Sequence, residues 1–174
     1  MKTVFTTKRL CRAGVIAALY TVLTYVFLPF AFGPFQIRPA EALCILPLLF
    51  PEAVPALFLG CILSNLGSPY LLYDVTIGAS ATLLAAISTY MVGRFLKNER
   101  LKPVLGGIFP ILFNAFLIPV LIVFLYGDTG SYASASIAYW AYFFSLLLTE
   151  SVWVYALGLP LYYALKPKNK KDNT

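Results

Sequence analysis

One carboxylate near the end of the chain is the most informative side chain for chemistry. Glu150 lies within residues 138–165, where tyrosines are the only other ionisable groups, and this stretch is long enough to cross a bilayer. A charge inside such a segment is costly unless it has partners or water, so it is a functional-site candidate. A carboxylate can accept two parallel N–H bonds from an amidine-like edge or pair with an ammonium group. The stretch therefore predicts a site for a small, planar or cationic ligand rich in hydrogen-bond donors.

A second deep polar side chain, Asn114, is expected to lie at the same depth. Asn114 lies twelve residues before Tyr126, where its helix is expected to end, and Glu150 lies twelve residues after the start of its own segment. At 1.5 Å per residue, both side chains are roughly 18 Å deep. Matched depth on adjacent antiparallel helices predicts the floor of a pocket that opens outward. Trp153 follows Glu150 by three residues, so it is expected on nearly the same face, where it could stack on a planar ligand.

Six further side chains fall where segments are expected to meet at the outer face. They are Gln36, Arg38 and Glu41 in and after the first outer loop, and Asn65, Tyr73 and Asp74 around the second. Each has a structural alternative. Glu41 and Asp74 could be helix-start carboxylates favoured by the helix dipole, and Arg38 could pair with Glu41. Asparagines such as Asn65 could bond one helix to another, and tyrosine and tryptophan are typical of the membrane interface.

The composition requires a membrane around these residues. Of 174 residues, 60% are hydrophobic and 11% are charged, which is too apolar for a core with a solvated surface. The sequence predicts an all-α integral membrane protein with a single transmembrane domain over residues 1–174. Its six predicted helices cover about residues 10–29, 40–50, 52–66, 74–96, 103–126 and 138–165. The second and third are short, so they are either two short spans, which we favour, or one re-entrant hairpin.

The positions of Lys and Arg predict the orientation, because positive charge is retained on the cytoplasmic side of short loops. With six crossings and both termini cytoplasmic, twelve of the thirteen basic residues lie inside and only Arg38 lies outside. An odd number of crossings would separate the basic tail from the basic N-terminus. The tail, residues 166–171, is expected to anchor this topology, and it could also bind anionic membrane lipid.

Small residues on the first helix are a candidate surface for a membrane partner. They form two overlapping pairs at i and i+4, which allows close approach by another helix, although packing within the bundle is an alternative. These residues are Ala13, Gly14, Ala17 and Ala18.

Missing motifs narrow the function. The sequence has no GxxxxGK[ST] motif, so the chain is not expected to hydrolyse ATP through a P-loop. It has no histidine, which removes the commonest metal ligand. Its cysteines, at positions 11, 44 and 61, lack CxxC spacing and are expected to pack as small buried residues. We therefore predict no metal, no cofactor, no nucleic-acid partner and no enzymatic activity.

Three stretches carry a resemblance to a known family. They read FGPFQIRPAEALCILPLLFPEAVPALFLGCILSNLGS at 32–68, DVTIGASATLLAA at 74–86 and ESVWVYALGLPLYYAL at 150–165. The chain resembles the substrate-binding S-components of energy-coupling factor (ECF) transporters, and most closely the QueT-type family associated with uptake of queuosine precursors. The QIRxxEAL core and the late Glu with GLPL are the more specific motifs, while Pro39 departs from the pattern.

The resemblance implies a substrate-binding subunit in a prokaryotic plasma membrane. Such a protein captures its ligand outside and docks on a transmembrane T-component driven by two ATPase subunits. It would make Gln36, Arg38 and Glu41 site residues of the first loop and Glu150 a deep site residue, and the small-residue face of the first helix would contact the T-component. The implied ligand is a 7-deazaguanine, such as the aminomethyl form or queuine.

Alternative functions remain open at the level of sequence. The main one is a self-sufficient ion-coupled secondary carrier for a small cationic or planar solute, with Glu150 as the proton or cation site. An intramembrane enzyme using Glu41, Asn114 and Glu150 is disfavoured, because the chain lacks histidine and clustered cysteine ligands. A purely structural membrane subunit would need these polar side chains only for assembly.

Overall fold

The structure, a computed structural model, describes residues 6–32 and 36–166, and within them every regular element is a helix. A single helical turn, Leu28–Ala31, follows the first long helix. The long elements match the six predicted segments to within a few residues, which confirms the all-α prediction. They are α1 (Thr7–Val26), α2 (Pro39–Leu48), α3 (Ala53–Asn65), α4 (Leu71–Phe95), α5 (Leu101–Leu125) and α6 (Ala135–Leu165).

Four of these helices, α1, α4, α5 and α6, are long and apolar enough to cross a bilayer. The other two are shorter and form an antiparallel pair, because Arg38, just before α2, reaches Asn65 at the end of α3. Four candidate spans are therefore established, whereas six crossings and cytoplasmic termini stay predictions. The terminal residues 1–5 and 167–174, with most of the basic tail, lie outside the described residues.

The short helix α2 occupies the centre of the bundle. It is a 3₁₀ helix, it is buried from Pro39 to Pro47, and it contacts each of the other five helices. Ten residues of 3₁₀ helix extend about 20 Å, roughly 5 Å more than the same length of α-helix. Pro39, the departure from the family pattern, is the first helical residue, where its missing N–H costs nothing. Glu41, in the first turn, is thereby carried into the interior.

Glycines let the neighbouring helices approach α2 closely. A Cβ atom on Gly93 of α4 would lie 2.9 Å from both Cα and the carbonyl oxygen of Leu48. A Cβ atom on Gly158 of α6 would lie 3.0 Å from the carbonyl oxygen of Ala42. Such separations are too short for side chains against backbone. The packing around α2 therefore depends on residues without side chains.

Three helices contain a π-helical segment. These segments are Asp74–Gly78 at the start of α4, Leu121–Leu125 at the end of α5 and Val152–Gly158 within α6. In α6, Pro160 follows the segment closely, and its missing N–H removes one regular α-helical hydrogen bond. The π segment of α6 begins directly after Glu150 and Ser151, so it changes which later residues share a face with Glu150.

The outer surface is apolar where it would meet lipid. Leu72, Phe95 and Leu148 have exposed fractions of 69%, 70% and 69%. Large apolar surfaces of this kind are typical of contact with a membrane or a partner. Together with the four long helices, they show a multi-pass membrane protein.

Ion pairs gather at one end of the bundle. Arg12 of α1 pairs with Glu52 at 2.6 Å, and Glu99, between α4 and α5, pairs with Lys102 at 2.5 Å and Lys166 at 2.9 Å. Glu52 directly precedes α3, but its side chain makes no capping hydrogen bond. It instead neutralises Arg12. This clustering agrees with the predicted grouping of basic residues, although sidedness in a membrane stays a prediction.

Candidate functional site

Glu150 and Asn114 meet in the interior, as their matched depth predicts. The Nδ2 atom of Asn114 donates to Oε1 of Glu150 at 3.2 Å, which joins α5 to α6. Only 2% of Glu150 is exposed, and its second oxygen, Oε2, has no hydrogen-bond partner among the described residues. A buried carboxylate oxygen without a donor is costly. Glu150 is therefore poised to accept a hydrogen bond from outside the chain.

Glu41 has different surroundings although it is as deeply buried. The hydroxyl of Tyr20 in α1 donates to Oε1 at 2.5 Å, and the thiol of Cys44 donates to Oε2 at 3.1 Å. Both carboxylate oxygens are thus satisfied within the chain. The charges of Glu41 and Arg38 lie close enough to Glu150 to act on it electrostatically. Glu41 therefore shapes the electrostatic environment of Glu150.

Arg38 links the first loop to the end of α3. Its Nε atom donates to the carbonyl oxygen of Ala31 at 2.9 Å, Nη2 reaches Oδ1 of Asn65 at 3.5 Å, and the guanidinium lies 4.8 Å from the centre of the Phe32 ring. The ion pair with Glu41 that the spacing allowed is not among those of the described residues. Glu41 instead binds Tyr20 of α1 and Cys44 of its own helix, so a contact between helices and one within α2 replace the pairing with Arg38.

Gln36 lies beside this link and is also buried, with 6% of the residue exposed. Its backbone φ is +38°, in the left-handed region that is unusual for residues other than glycine. Such strain persists only where the surroundings hold it, and it is common at binding sites. The neighbouring residues 33–35 lie outside the described residues.

Asp74 lies in a tight cluster of side chains at the start of α4, and Tyr73 lies at the edge of this cluster. The carboxylate of Asp74 accepts hydrogen bonds from the hydroxyl of Ser68 and, at 2.5 Å, from that of Tyr126. The ring of Tyr70 stacks on Tyr126 at 3.8 Å, while Tyr73 is 39% exposed and tilts against Tyr126 at 5.9 Å. We name the residues Ser68, Tyr70, Asp74 and Tyr126 the Asp74 cluster. It fastens the α3–α4 connection to the end of α5.

Asn65 joins the Asp74 cluster to Arg38. Its Nδ2 atom donates to the carbonyl oxygen of Asp74 at 2.7 Å, and its Oδ1 atom faces Arg38. A continuous hydrogen-bonded path therefore runs from Tyr126 to Ala31. Three of the six residues predicted around the two outer loops, Arg38, Asn65 and Asp74, are brought together by this path.

Trp153 does not share the inward face with Glu150. It is half-buried, whereas Val154 is fully buried and contacts the region of Gly107 in α5. The prediction assumed α-helical spacing, which fails here because the backbone is π-helical from Val152 onward. A stacking role for Trp153 stays a prediction that this geometry does not favour.

The small-residue face of α1 borders an apolar groove. Ala13 and Ala17 are half-buried against α3, whereas Gly14 and Ala18 are exposed. The groove has a volume of about 500 Å³, and Pro55 and other α3 residues form its far wall. No described atom of another helix lies within 4 Å of a Cβ built on Gly14. The face is thus partly used for internal packing and partly open.

Sequence reasoning missed several residues of this site. Tyr20 and Tyr126 gave no signal, because tyrosines at the ends or faces of apolar helices are common. Cys44 was expected only to pack, yet its thiol donates to Glu41. Among the described residues, no three Cys, Asp or Glu side chains group in a way that could hold a metal ion. The arrangement can bind a polar ligand through hydrogen bonds and charge.

The long apolar helices and the buried polar cluster define a multi-pass membrane protein with an internal polar site. A family model described as the QueT transporter matches residues 10–167, nearly the whole chain. The chain therefore belongs to the QueT transporter family, and it is a membrane transporter. No curated protein and no solved structure matches the chain.

Proposed function

We propose that the chain is the substrate-binding S-component of an ECF-type importer, capturing a queuosine precursor from outside the cell. The observation that carries the proposal is that Oε2 of Glu150 is buried without a hydrogen-bond partner among the described residues, in a chain of the QueT transporter family. A buried acceptor of this kind favours a ligand that brings hydrogen-bond donors. In a transporter, such an acceptor should receive its hydrogen bond only when the ligand is bound.

The proposed ligand is a 7-deazaguanine, either the aminomethyl form or queuine. Its guanine-like edge offers parallel N–H donors, which match a carboxylate. We assign Glu150 to this edge, with Asn114 holding Oε1 so that Oε2 faces the ligand. Glu41 or Asp74 would lie nearer the side-chain amine and attract it through charge, because their oxygens already have internal donors.

The remaining predicted residues have supporting roles in this proposal. Gln36, Arg38 and Asn65 would close the outer side over the ligand, and Tyr73 would contribute an exposed aromatic wall. Trp153 would contact the ligand only if α6 rearranges. The Asp74 cluster and the contacts of Arg38 would have to open to admit the ligand, because the side chains of Glu41, Asp74 and Glu150 are all buried.

Energy for uptake would come from partner subunits. The sequence has no P-loop, and the groove beside Ala13, Gly14, Ala17 and Ala18 would receive the T-component, which carries two ATPase subunits. Small residues allow a partner helix to approach closely. The proposal includes six crossings with both termini in the cytoplasm of a prokaryotic cell, so that this groove lies on the cytoplasmic half.

Two measurements test the proposal. Mass spectrometry of the protein purified in mild detergent should identify a co-purified 7-deazaguanine, and a flavin, cobalamin or metal ion would redirect the assignment of the substrate. Proteoliposomes should take up the aminomethyl form only when the T-component, the ATPases and ATP are present. Uptake by the chain alone, driven by a pH gradient, would instead establish an ion-coupled carrier.

The docking surface has its own test. Gly14→Leu should prevent assembly with the T-component while leaving ligand binding unchanged, because no described atom of another helix lies within 4 Å of a Cβ at this position. Leu19→Ala, at an exposed α1 residue outside the groove, is the control. Assembly that survives Gly14→Leu would remove this face from the proposed interface.

A further inference from the structure

Tyr20 connects two regions that the proposed function uses separately. It lies in α1, three residues after Ala17 of the small-residue face, and only 1% of it is exposed. Its hydroxyl donates to Oε1 of Glu41 at 2.5 Å, and Glu41 is one of the carboxylates of the proposed ligand site. The same helix therefore presents the docking face and supplies a donor to a carboxylate of the site.

The contact between α1 and α3 makes these two helices a unit. A Cβ atom on Gly60 of α3 would lie 3.0 Å from both the carbonyl oxygen of Ala17 and Cβ of Tyr20. The hydroxyl of Thr21 also reaches the carbonyl oxygen of Gly60 at 3.3 Å. Packing this close transmits displacement rather than absorbing it. A partner seated in the groove between α1 and α3 would thus move Tyr20 together with both helices.

Movement of Tyr20 relative to α2 would change the charge environment of Glu150. In the carboxylate of Glu41, Oε1 accepts a hydrogen bond from Tyr20 of α1. Its Oε2 accepts one from Cys44, which lies on α2 like Glu41 itself. Only the first of these bonds crosses from the docking helix to the central helix. When that bond breaks, Glu41 loses one of its two hydrogen-bond donors, and the charge of Glu41 acts on Glu150. The ligand site would then differ between the free and the docked protein.

We propose that Tyr20 is a positioning residue that couples docking on α1 to ligand affinity at Glu150. This inference rests on the proposed function, because it needs both the ligand and the T-component. Coupling between two sites is reciprocal, so docking would change the ligand affinity by the same factor as the ligand changes docking. Such factors are commonly about 5- to 150-fold.

The test measures affinity for the aminomethyl 7-deazaguanine with the chain free and in complex with the T-component and ATPases. The parent should show at least about a fivefold difference in affinity between the two forms. Tyr20→Phe removes only the hydroxyl, so it should still dock while the ratio of affinities falls towards one. Tyr25→Phe is the matched control, since that hydroxyl joins α1 to α3, at 3.4 Å from the carbonyl oxygen of Leu63, and does not reach Glu41 of α2.

The outcomes separate the two proposals. If the parent binds both partners and Tyr20→Phe keeps the parental ratio, the coupling role of Tyr20 is overturned while the proposed function stands. If the parent binds neither ligand nor T-component, the proposed function fails, and the coupling fails with it. Should Tyr20→Phe not fold, Glu41→Gln removes the charged acceptor of the same bond. That variant should also lose the difference between free and docked forms, and retention of the parental ratio would overturn the inference.

Discussion

The interior around Glu150 and the groove beside α1 are both incomplete, but in opposite ways. Inside, helices pack closely around α2 and leave one carboxylate oxygen without a donor among the described residues. At the groove, the surface is apolar and no described atom of another helix lies within 4 Å of a Cβ on Gly14. The interior lacks a polar partner, whereas the surface lacks an apolar one. The first therefore suits a small polar ligand, and the second suits another helix.

The largest effect is expected from Glu150→Gln. This change removes the charge but keeps the shape, so binding of the aminomethyl 7-deazaguanine should weaken by about 2–5 kcal/mol, or roughly 30- to 4000-fold. Isothermal titration calorimetry against the parent measures this loss. Thermal unfolding checks that the variant folds. Undiminished affinity would show that Glu150 does not bind the ligand, and the interior would then no longer be the polar counterpart of the apolar groove.

The same substitution at two glycines should have opposite effects on stability. Gly93→Ala places a Cβ 2.9 Å from the backbone of Leu48, and overpacking of this kind costs about 1–3 kcal/mol. Gly14→Ala meets open space, and alanine is favoured over glycine in a helix by up to about 1 kcal/mol. Thermal unfolding in one detergent should lower the melting temperature of the first variant and leave that of the second unchanged or raised. Equal shifts would contradict the contrast between closed interior and open groove.

Tyr126→Phe tests whether Asp74, like Glu150, contacts the ligand directly. The variant deprives Oδ1 of Asp74 of its donor, which should cost about 1–3 kcal/mol of stability. Ligand affinity should change less than in Glu150→Gln, because the carboxylate of Asp74 already has internal partners. Tyr70→Phe keeps the ring that stacks on Tyr126 and is the control. A loss of affinity as large as that of Glu150→Gln, without loss of stability, would make Asp74 a direct ligand contact.

The smallest effect on stability is expected from Glu99→Gln, at the end of the bundle where the ion pairs gather and the charges are solvated. Hydrogen bonds from Lys102, and then from Lys166, lower the pKa of Glu99 below its ordinary value of 4.5, and the bond to Glu99 raises the pKa of Lys166 above 10.5. The contribution of these ion pairs to stability is fully present at pH values between 4.5 and 10.5, the ordinary pKa values of the two groups. It is lost as pH falls through the lowered pKa of Glu99 or rises through the raised pKa of Lys166. Exposure limits it to about 0.2–1 kcal/mol.

Thermal unfolding of parent and Glu99→Gln across pH checks this expectation. The difference in melting temperature should be small at neutral pH and should vanish in acid below the pKa of Glu99. Lys97→Gln, in the same connection, changes the net charge by one unit in the opposite direction and is the control: a shift that depends only on net charge should reverse its sign in this variant. A difference in melting temperature that grows in acid would mean that the neutral form of Glu99 stabilises the fold.

The contacts of individual carboxylates explain which parts of the site could be predicted. Asn114 and Glu150 were expected at one depth because helical rise is constant, and they meet at 3.2 Å. Glu41 was expected near Arg38 by local spacing, but its partners are Tyr20, from a distant segment, and Cys44. Trp153 was placed by regular helical spacing, which the π-helical segment of α6 changes. Predictions from regular geometry held where the helix stayed regular.

The sequence by itself determined the apolar helices and their approximate ends, because a long run of apolar residues must be helical in lipid. It also determined that Glu150 lies deep, because only its distance from the end of the segment matters. The tertiary structure alone decided which buried carboxylate keeps an oxygen without a donor from the part of the chain that the structure describes. Hydrogen-bond partners come from side chains distant in sequence, such as Tyr20 for Glu41 and Tyr126 for Asp74, and their meeting depends on how the helices pack.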